Sequence, residues 1–299
     1  MSAQRSHNAP VCGRFAPSPT GRMHLGNIYT AVMSCYYARK NGGRWILRIE
    51  DLDPQRSHNE YADLIIDDLE WLGLRPDNEP YYQSQRHQIY ADALHTLTHL
   101  GLIYPCRCTR ADIMATQAPH QNDGHIVYAG TCRPNQPIFD ADTLHETLRM
   151  LVPPYPTYIH INVDAVQHFV DRNFGEQHVD LAKTCGDFIV RRRDNAWAYQ
   201  LAVAIDDALM GVTQIVRGED LLLSTAVQRY IQQILDLPTA DEYIHLPLLR
   251  NDKKQRLSKR DGAMAMDVLR QQHTPHDIID MVCRYTDIDT DEVLQYIYR

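Results

Sequence analysis

The segment GRFAPSPTGRMHLGNIYTA, residues 13–31, sets two prolines and a His-Leu-Gly-Asn run between a short apolar start and an apolar helical stretch. A strand that turns through Pro17-Ser18-Pro19-Thr20-Gly21 and enters a helix near His24 aims that helix's free N–H groups at a crevice. Unpaired amides at a helix N-terminus suit phosphate. Gly26 lets a flat or charged ligand approach the backbone, and His24 and Asn27 are first-turn donors. A Pro/Gly-rich surface turn with a satisfied histidine accounts for the spacing equally well. RLSKR, residues 256–260, supplies a second basic loop far along the chain. Two such loops meeting over one triphosphate would place charge where attack at an α-phosphate accumulates it.

A second cluster involves thiols. Cys106 and Cys108 lie in YPCRCTRAD and Cys132 in YAGTC. A C-x-C pair with a distant third cysteine fits a structural zinc site that still needs a fourth ligand. His120 and His125 are generic candidates for it, and a metal-free insertion with incidental thiols is the alternative.

Positioning these groups requires a scaffold. Residues 11–16 read as a strand, and Leu25, Ile28, Ala31, Val32, Cys35 and Tyr36 recur at helical spacing before an Asn41-Gly42-Gly43 stop. Residues 45–49 read as a buried strand that ends at Glu50. Helices over 61–72 and 87–100 close at Gly73 and Gly101. Strand–helix–strand–helix–helix order predicts a parallel α/β sheet. Residues 105–160 turn rich in Pro, Gln, Asn and Thr, as an inserted module would. Apolar periodicity returns at 188–190, 198–209 and 212–216, followed by a helix over 220–235 and a helical tail with apolar segments at 278–285 and 293–297. The expected organisation is a catalytic domain in two halves, 11–104 and 187–263, an insertion over 105–186, and a helical C-terminal region over 264–299.

The formal charge of -8 over 299 residues argues against a general nucleic-acid coating protein. Local basic patches at Arg191-Arg192-Arg193 and 253–260 keep RNA open. Polar residues 1–12, seven cysteines and no apolar run of spanning length predict a reduced cytoplasmic setting without a membrane partner. Clustered thiols are therefore read as ligands before disulfides, and Cys12, Cys35, Cys185 and Cys283 as packed small hydrophobes.

The pairing of HLGN with RLSKR resembles the two signature motifs of class I aminoacyl-tRNA synthetases. RFAPSPTG, RIEDLD, WLGL, YYQSQR, VRGED and LSKRDGA, in order over residues 13–263, are similar to the glutamyl-tRNA synthetase catalytic domain. The resemblance implies an α/β fold: a Rossmann-like parallel-sheet catalytic domain with a zinc-bearing insertion and a short helical C-terminal region. It also implies a ligase. Only 39 residues follow Arg260, too few for the large helical anticodon reader of full-length members. The resemblance therefore points to the family's truncated paralogues, which activate L-glutamate with ATP and transfer it to queuosine in the anticodon loop of tRNA(Asp). A monomer is expected. The competing readings are a reduced enzyme that charges tRNA(Glu), a catalytically silent paralogue that binds tRNA or protein, and a small-molecule nucleotidylyltransferase.

Roles follow from the same resemblance. Glutamate brings two carboxylates and an ammonium. Arg14 and Arg217 suit the carboxylates, Glu50 the ammonium, and the Tyr199 hydroxyl closes the pocket. Ser18 and the backbone of Phe15, Ala16 and Pro17 add hydrogen bonds. Which arginine takes the side-chain carboxylate is open. His24, Gly26 and Asn27 are assigned to ATP, with Arg256, Ser258 and Lys259 of the second signature. Lys259 serves the transferring phosphoryl group, and Mg²⁺ accompanies ATP. Two positions depart from the family pattern: Arg256 replaces a lysine and Asn27 a histidine. The family spacing makes Tyr128 the fourth ligand of one structural Zn²⁺ beside Cys106, Cys108 and Cys132.

Overall fold

The computed structural model describes residues 10–115, 127–249 and 265–298. The first strand, β1 (Cys12–Phe15), is wholly buried and leads through the proline corner into α1 (Leu25–Lys40). β2 (Arg44–Ile49), α2 (Asn59–Trp71), the two-residue β3 (Tyr81–Tyr82) and α3 (His87–His99) follow. Next come β4 (Ile103–Cys106), α4 (Arg110–Ala115) and β5 (Thr147–Met150). A hairpin of β6 (Val166–Asp171) and β7 (Gly175–Asp180) leads to α5 (Leu181–Thr184) and β8 (Phe188–Arg191). The chain continues through α6 (Tyr199–Leu209), β9 (Gln214–Gly218), α7 (Leu222–Ile234) and β10 (Glu242–Leu246). It closes with α8 (Met266–Gln272), α9 (Pro275–Cys283) and α10 (Thr290–Ile297).

Two sheets result. The larger runs β3-β2-β1-β9-β10-β6-β7, and every neighbouring pair is parallel except the β6–β7 hairpin. The smaller is antiparallel, β4-β5-β8. This is the Rossmann-like α/β architecture expected, with its mostly parallel central sheet. The stretch 105–186 divides between the two sheets. Its β4 and β5 build the small sheet, whereas β6 pairs with β10 and extends the large one. Strand β6 escaped the pattern because its inward positions include Gln167 and Asp171, both buried. Period-two reading looks for apolar residues at such positions.

α1 is buried along most of its circumference because it is packed from two sides. It contacts β1, β2 and β9 of the large sheet and also α9 and α10. Gly13 allows the close seat on the sheet, since a Cβ there would lie 2.9 Å from that of Ala38. α9 starts cleanly, with Thr274 and Asp277 in a reciprocal capping box and Pro275 in the first turn. No helix of the described residues is long and apolar enough to cross a membrane.

Candidate active site

A cavity of about 440 Å³ opens beyond the carboxyl ends of β1, β2, β9 and β10, where open α/β sheets place ligands. β1 and the corner after it contribute Arg14, Phe15, Ala16, Pro17 and Ser18. The start of α1 contributes His24, Gly26 and Asn27, and the end of β2 contributes Glu50. Tyr199 begins α6 and Arg217 lies on β9. The fold thus brings together every described residue assigned above to glutamate or ATP.

The corner differs from expectation in one respect. His24 is the N-cap of α1, and its Nδ1 accepts the Gly26 amide at 3.1 Å. Asn27 Oδ1 accepts the His24 amide at 3.1 Å, and the Asn27 and Ile28 amides reach the His24 carbonyl. The helix therefore does not present those amides to the crevice. With Nδ1 accepting, the neutral ring carries its proton on Nε2, and Asn27 keeps its Nδ2 hydrogens as donors. Gly26 leaves room for this folded imidazole, because a Cβ there would come within 3.0 Å of His24 Cε1.

Beneath the cavity lies a charge network that pattern reading missed. Arg48 sits 2.7 Å from Asp207 and 3.0 Å from Glu50. Arg14 lies 3.3 Å from Asp207. Asp206 accepts from Arg86 at 2.7 Å, Gln83 at 2.8 Å and Tyr90 at 2.7 Å. Burial raises the Glu50 carboxyl against the pull of Arg48 and Arg14. Burial acts upward on Asp207 too, but Arg14 and Arg48 outweigh it and hold that carboxyl low. A signal existed: adjacent aspartates in the otherwise apolar run LAVAIDDAL must find partners if buried.

Arg217 has different surroundings. Its Nε donates to His245 Nε2 at 3.2 Å, Nη2 to Thr225 Oγ1 at 2.7 Å, and Nη1 to Gln228 Oε1 at 2.9 Å and Tyr199 Oη at 3.5 Å. No carboxylate of the described residues pairs with it. Burial pulls its pKa down, and an arriving anion would restore it.

Arg256, Ser258 and Lys259 lie outside the described residues. The described residues that flank their segment both adjoin the site. Leu249 lines the cavity, and Ala265 forms an antiparallel bridge with His24, next to a Met266 amide donating to the Met23 carbonyl at 2.9 Å. The arginine triplet is not a bare patch. Arg191 donates to the backbone carbonyls of Asp142 and Leu144, and Arg192 pairs with Asp53 and Asp194.

The cysteines converge as well. The sulfurs of Cys106, Cys108 and Cys132 lie within 4.8 Å of one another. Cys108 and Cys132 are 3.5 Å apart, and the Tyr128 oxygen is 3.5 Å from Cys106 and 3.8 Å from Cys108. Tetrahedral zinc with Zn–S near 2.3 Å needs ligand atoms about 3.5–3.8 Å apart. The donor set therefore fits such an ion. Tyr128 is held by a parallel bridge to Gly186, by the Arg149 guanidinium 3.8 Å above its ring, and by the Cys132 amide, which donates to its oxygen at 2.8 Å. His120 and His125 lie outside the described residues. All seven cysteines are unbridged, and Cys12, Cys35 and Cys283 are buried.

The model for class I tRNA synthetases (E and Q), catalytic domain, matches residues 10–293. A glutamyl-Q tRNA(Asp) synthetase of Thiobacillus denitrificans is 45% identical over 87% of this chain and 81% of its own. One from Neisseria meningitidis serogroup A is 44% identical over 92% of this chain and 88% of its own. Among solved structures, a glutamate tRNA ligase of Elizabethkingia meningosepticum in complex with its amino acid superposes with a TM-score of 0.76 at 27% identity. That match covers 96% of this chain, which spans 64% of the ligase. A Mycobacterium tuberculosis methionyl-tRNA synthetase, at TM-score 0.60 and 12% identity, shares the fold.

Proposed function

The chain belongs to the class I tRNA synthetase family of E and Q catalytic domains, as a ligase of the glutamyl-Q tRNA(Asp) synthetase type, and from that premise we propose its reaction and the residues that carry it. L-Glutamate and ATP give glutamyl-adenylate and pyrophosphate, and the glutamyl group then passes to queuosine in the anticodon loop of tRNA(Asp). The observation that carries the reading is a buried, cavity-lining Arg217 with neutral neighbours beside a corner of histidine and asparagine donors.

In the first step an oxygen of the glutamate α-carboxylate bonds to the α-phosphorus. The bond from that phosphorus to the pyrophosphate oxygen breaks, and its electron pair leaves with pyrophosphate. In the second step an acceptor hydroxyl attacks the glutamyl carbonyl and AMP departs. Little covalent work falls to the protein, so its part is positioning and charge stabilisation. Arg217 binds a substrate carboxylate. Glu50 receives the ammonium, which would relieve a carboxyl strained by burial. Arg14 is already paired with Asp207 and acts mainly by shaping the pocket. Tyr199, Ser18 and the backbone of Phe15, Ala16 and Pro17 complete the pocket. His24, Gly26 and Asn27 meet ATP with Arg256, Ser258 and Lys259, and Mg²⁺ arrives with the nucleotide.

Cys106, Cys108, Cys132 and Tyr128 would hold one structural zinc ion, which would lock the loop-rich part of 105–186. The catalytic body comprises 11–104 and 187–263, with the hairpin of β6 and β7 added to its sheet, and 264–299 packs as a helical appendage. The protein works as a cytoplasmic monomer.

The deciding experiment labels separate purified tRNAs with radioactive glutamate. An alkali-labile ester on queuosine-bearing tRNA(Asp), absent from the same tRNA lacking queuosine, is the expected result. Label on tRNA(Glu) alone would establish the tRNA(Glu)-charging alternative. Absence of any glutamate-dependent pyrophosphate exchange would leave a silent binding paralogue.

A further inference from the structure

Three adjacent strands carry a buried relay in which two members, Asp171 and His245, have no role above. Asp171 ends β6, His245 lies on β10, and Arg217 lies on β9 directly beside His245 in register. Asp171 accepts four hydrogen bonds. The Asn173 and Phe174 amides donate to Oδ1 at 3.0 Å each, and the His245 amide and Nδ1 donate to Oδ2 at 3.0 and 2.7 Å. The three backbone amides among these donors favour an ionised carboxylate, and an ionised carboxylate fixes the proton of the imidazole on Nδ1. The lone pair of Nε2 is then bound to face the other way. There it meets Arg217 Nε and Thr225 Oγ1, each at 3.2 Å. His245 and Asp171 are both wholly enclosed, with side chains 0% exposed.

We propose that Asp171 and His245 are positioning residues that orient Arg217 toward the substrate carboxylate while leaving its charge unspent. The inference rests on the reading of Arg217 given above. Its physical basis is the choice of partner. A carboxylate placed directly against Arg217 would hold the guanidinium equally well, but it would neutralise the cation before any ligand arrived. A neutral imidazole accepts the Nε proton and adds no countercharge. The negative charge that fixes its tautomer is kept one side chain further away. Thr225 and Gln228 continue the same rule, since both accept from Arg217 and both are neutral. The guanidinium is thus clamped on three sides by uncharged acceptors.

Two amide substitutions separate the ends of the imidazole. Gln places its amide near the former Nε2, and Asn places it near the former Nδ1. His245→Gln can still accept from Arg217, whereas His245→Asn can only answer Asp171. Glutamate-dependent ATP–pyrophosphate exchange, run with and without tRNA, reports KM for glutamate and for ATP, with thermal melting as a fold control. His245→Asn is expected to raise KM for glutamate about tenfold, the effect of losing an orienting hydrogen bond to a charged group. KM for ATP should stay within about twofold, and His245→Gln should return KM for glutamate to within about threefold of wild type. Arg217→Gln, assayed in parallel, tests the underlying reading. If Arg217→Gln leaves KM for glutamate unchanged, the assignment of Arg217 itself fails. If Arg217→Gln raises it and a folded His245→Asn does not, the positioning role alone fails. Equal losses in the Asn and Gln variants, or a parallel rise in KM for ATP, also overturn the positioning role.

Discussion

Arg14 and Arg217 line the same cavity, yet among the described residues only Arg14 faces a carboxylate, that of Asp207 at 3.3 Å. The two arginines should therefore fail differently. Arg217→Gln removes a cation that no carboxylate of the described residues pairs with. KM for glutamate should rise about 10- to 100-fold, the value of charge-assisted hydrogen bonds to a carboxylate, with a melting temperature close to wild type. Arg14→Gln takes one partner from the buried Asp207, whose other guanidinium contact is Arg48 at 2.7 Å. Breaking a buried pair costs about 3 kcal/mol, or roughly 5 °C for a chain of this size. Melting curves and exchange kinetics on both variants check the contrast, and identical behaviour would contradict it.

The bridge between His24 and Ala265 ties the corner to the chain emerging from the RLSKR segment. A lysine acting on the α-phosphate stabilises charge that exists mainly in the transition state. Lys259→Ala should lower the rate of glutamate activation by about 10²–10³, with a smaller change in KM for glutamate. A near-wild-type exchange rate in that variant would remove Lys259 from the mechanism.

These contrasts show where sequence reading succeeds. Strand β1, the corner and α1 were legible because prolines, glycines and a clean apolar period mark them in fewer than thirty consecutive residues. The residues assigned to glutamate and ATP came from motif resemblance, and the fold gathers the described ones around one cavity. What stayed hidden is the buried polar layer below. Arg48, Asp206, Asp207, Asp171 and His245 occupy inward positions that a hydrophobic pattern treats as surface. Apart from the neighbouring pair Arg48–Glu50, the charged partners of these groups lie far off in sequence, from 28 residues for Arg217–His245 to 193 for Arg14–Asp207. Local spacing carries no record of such pairings. The same blindness placed β6 and β7 with the insertion, although β6 pairs with β10 in the main sheet.

The thiol cluster predicts about one zinc per chain after gentle purification, measured by elemental analysis. Less than half an equivalent would favour a metal-free insertion. Tyr128 gives a sharper test through its backbone. Gly186 opposes it in a parallel bridge at φ 61°, and a Cβ there would press on the Tyr128 carbonyl oxygen. Gly186→Ala should thus displace Tyr128 without touching a thiol. Reduced zinc content and faster proteolysis within 105–160 are expected. Full zinc occupancy in that variant would exclude Tyr128 as a ligand.

His245 also makes a pH prediction. Burial pulls its pKa down, the charges of Arg217 and Arg14 act the same way, and Asp171 opposes them without prevailing. The native ring therefore stays neutral at pH values where an unfolded histidine, with a pKa near 6.5, takes up a proton. Below about pH 6.5 the unfolded state binds more protons, so stability falls with acidification. It stops falling from this cause once the native ring itself protonates. Asp171 acts in a lower window. Burial raises it, but hydrogen bonds from His245 and from the Asn173 and Phe174 amides outweigh that and hold it below the ordinary carboxylate range. Its contribution is present above about pH 4 and is lost as pH drops through the lowered native value. Urea unfolding of wild type and His245→Gln in steps between about pH 8 and 5 isolates the histidine, because every other titrating group is shared. The wild-type slope should be steeper below about pH 6.5 by up to roughly 1.4 kcal/mol per pH unit, the limit for one proton. Parallel curves would mean that the ring protonates equally in both states, and the fixed tautomer on which the Arg217 geometry depends could not then hold.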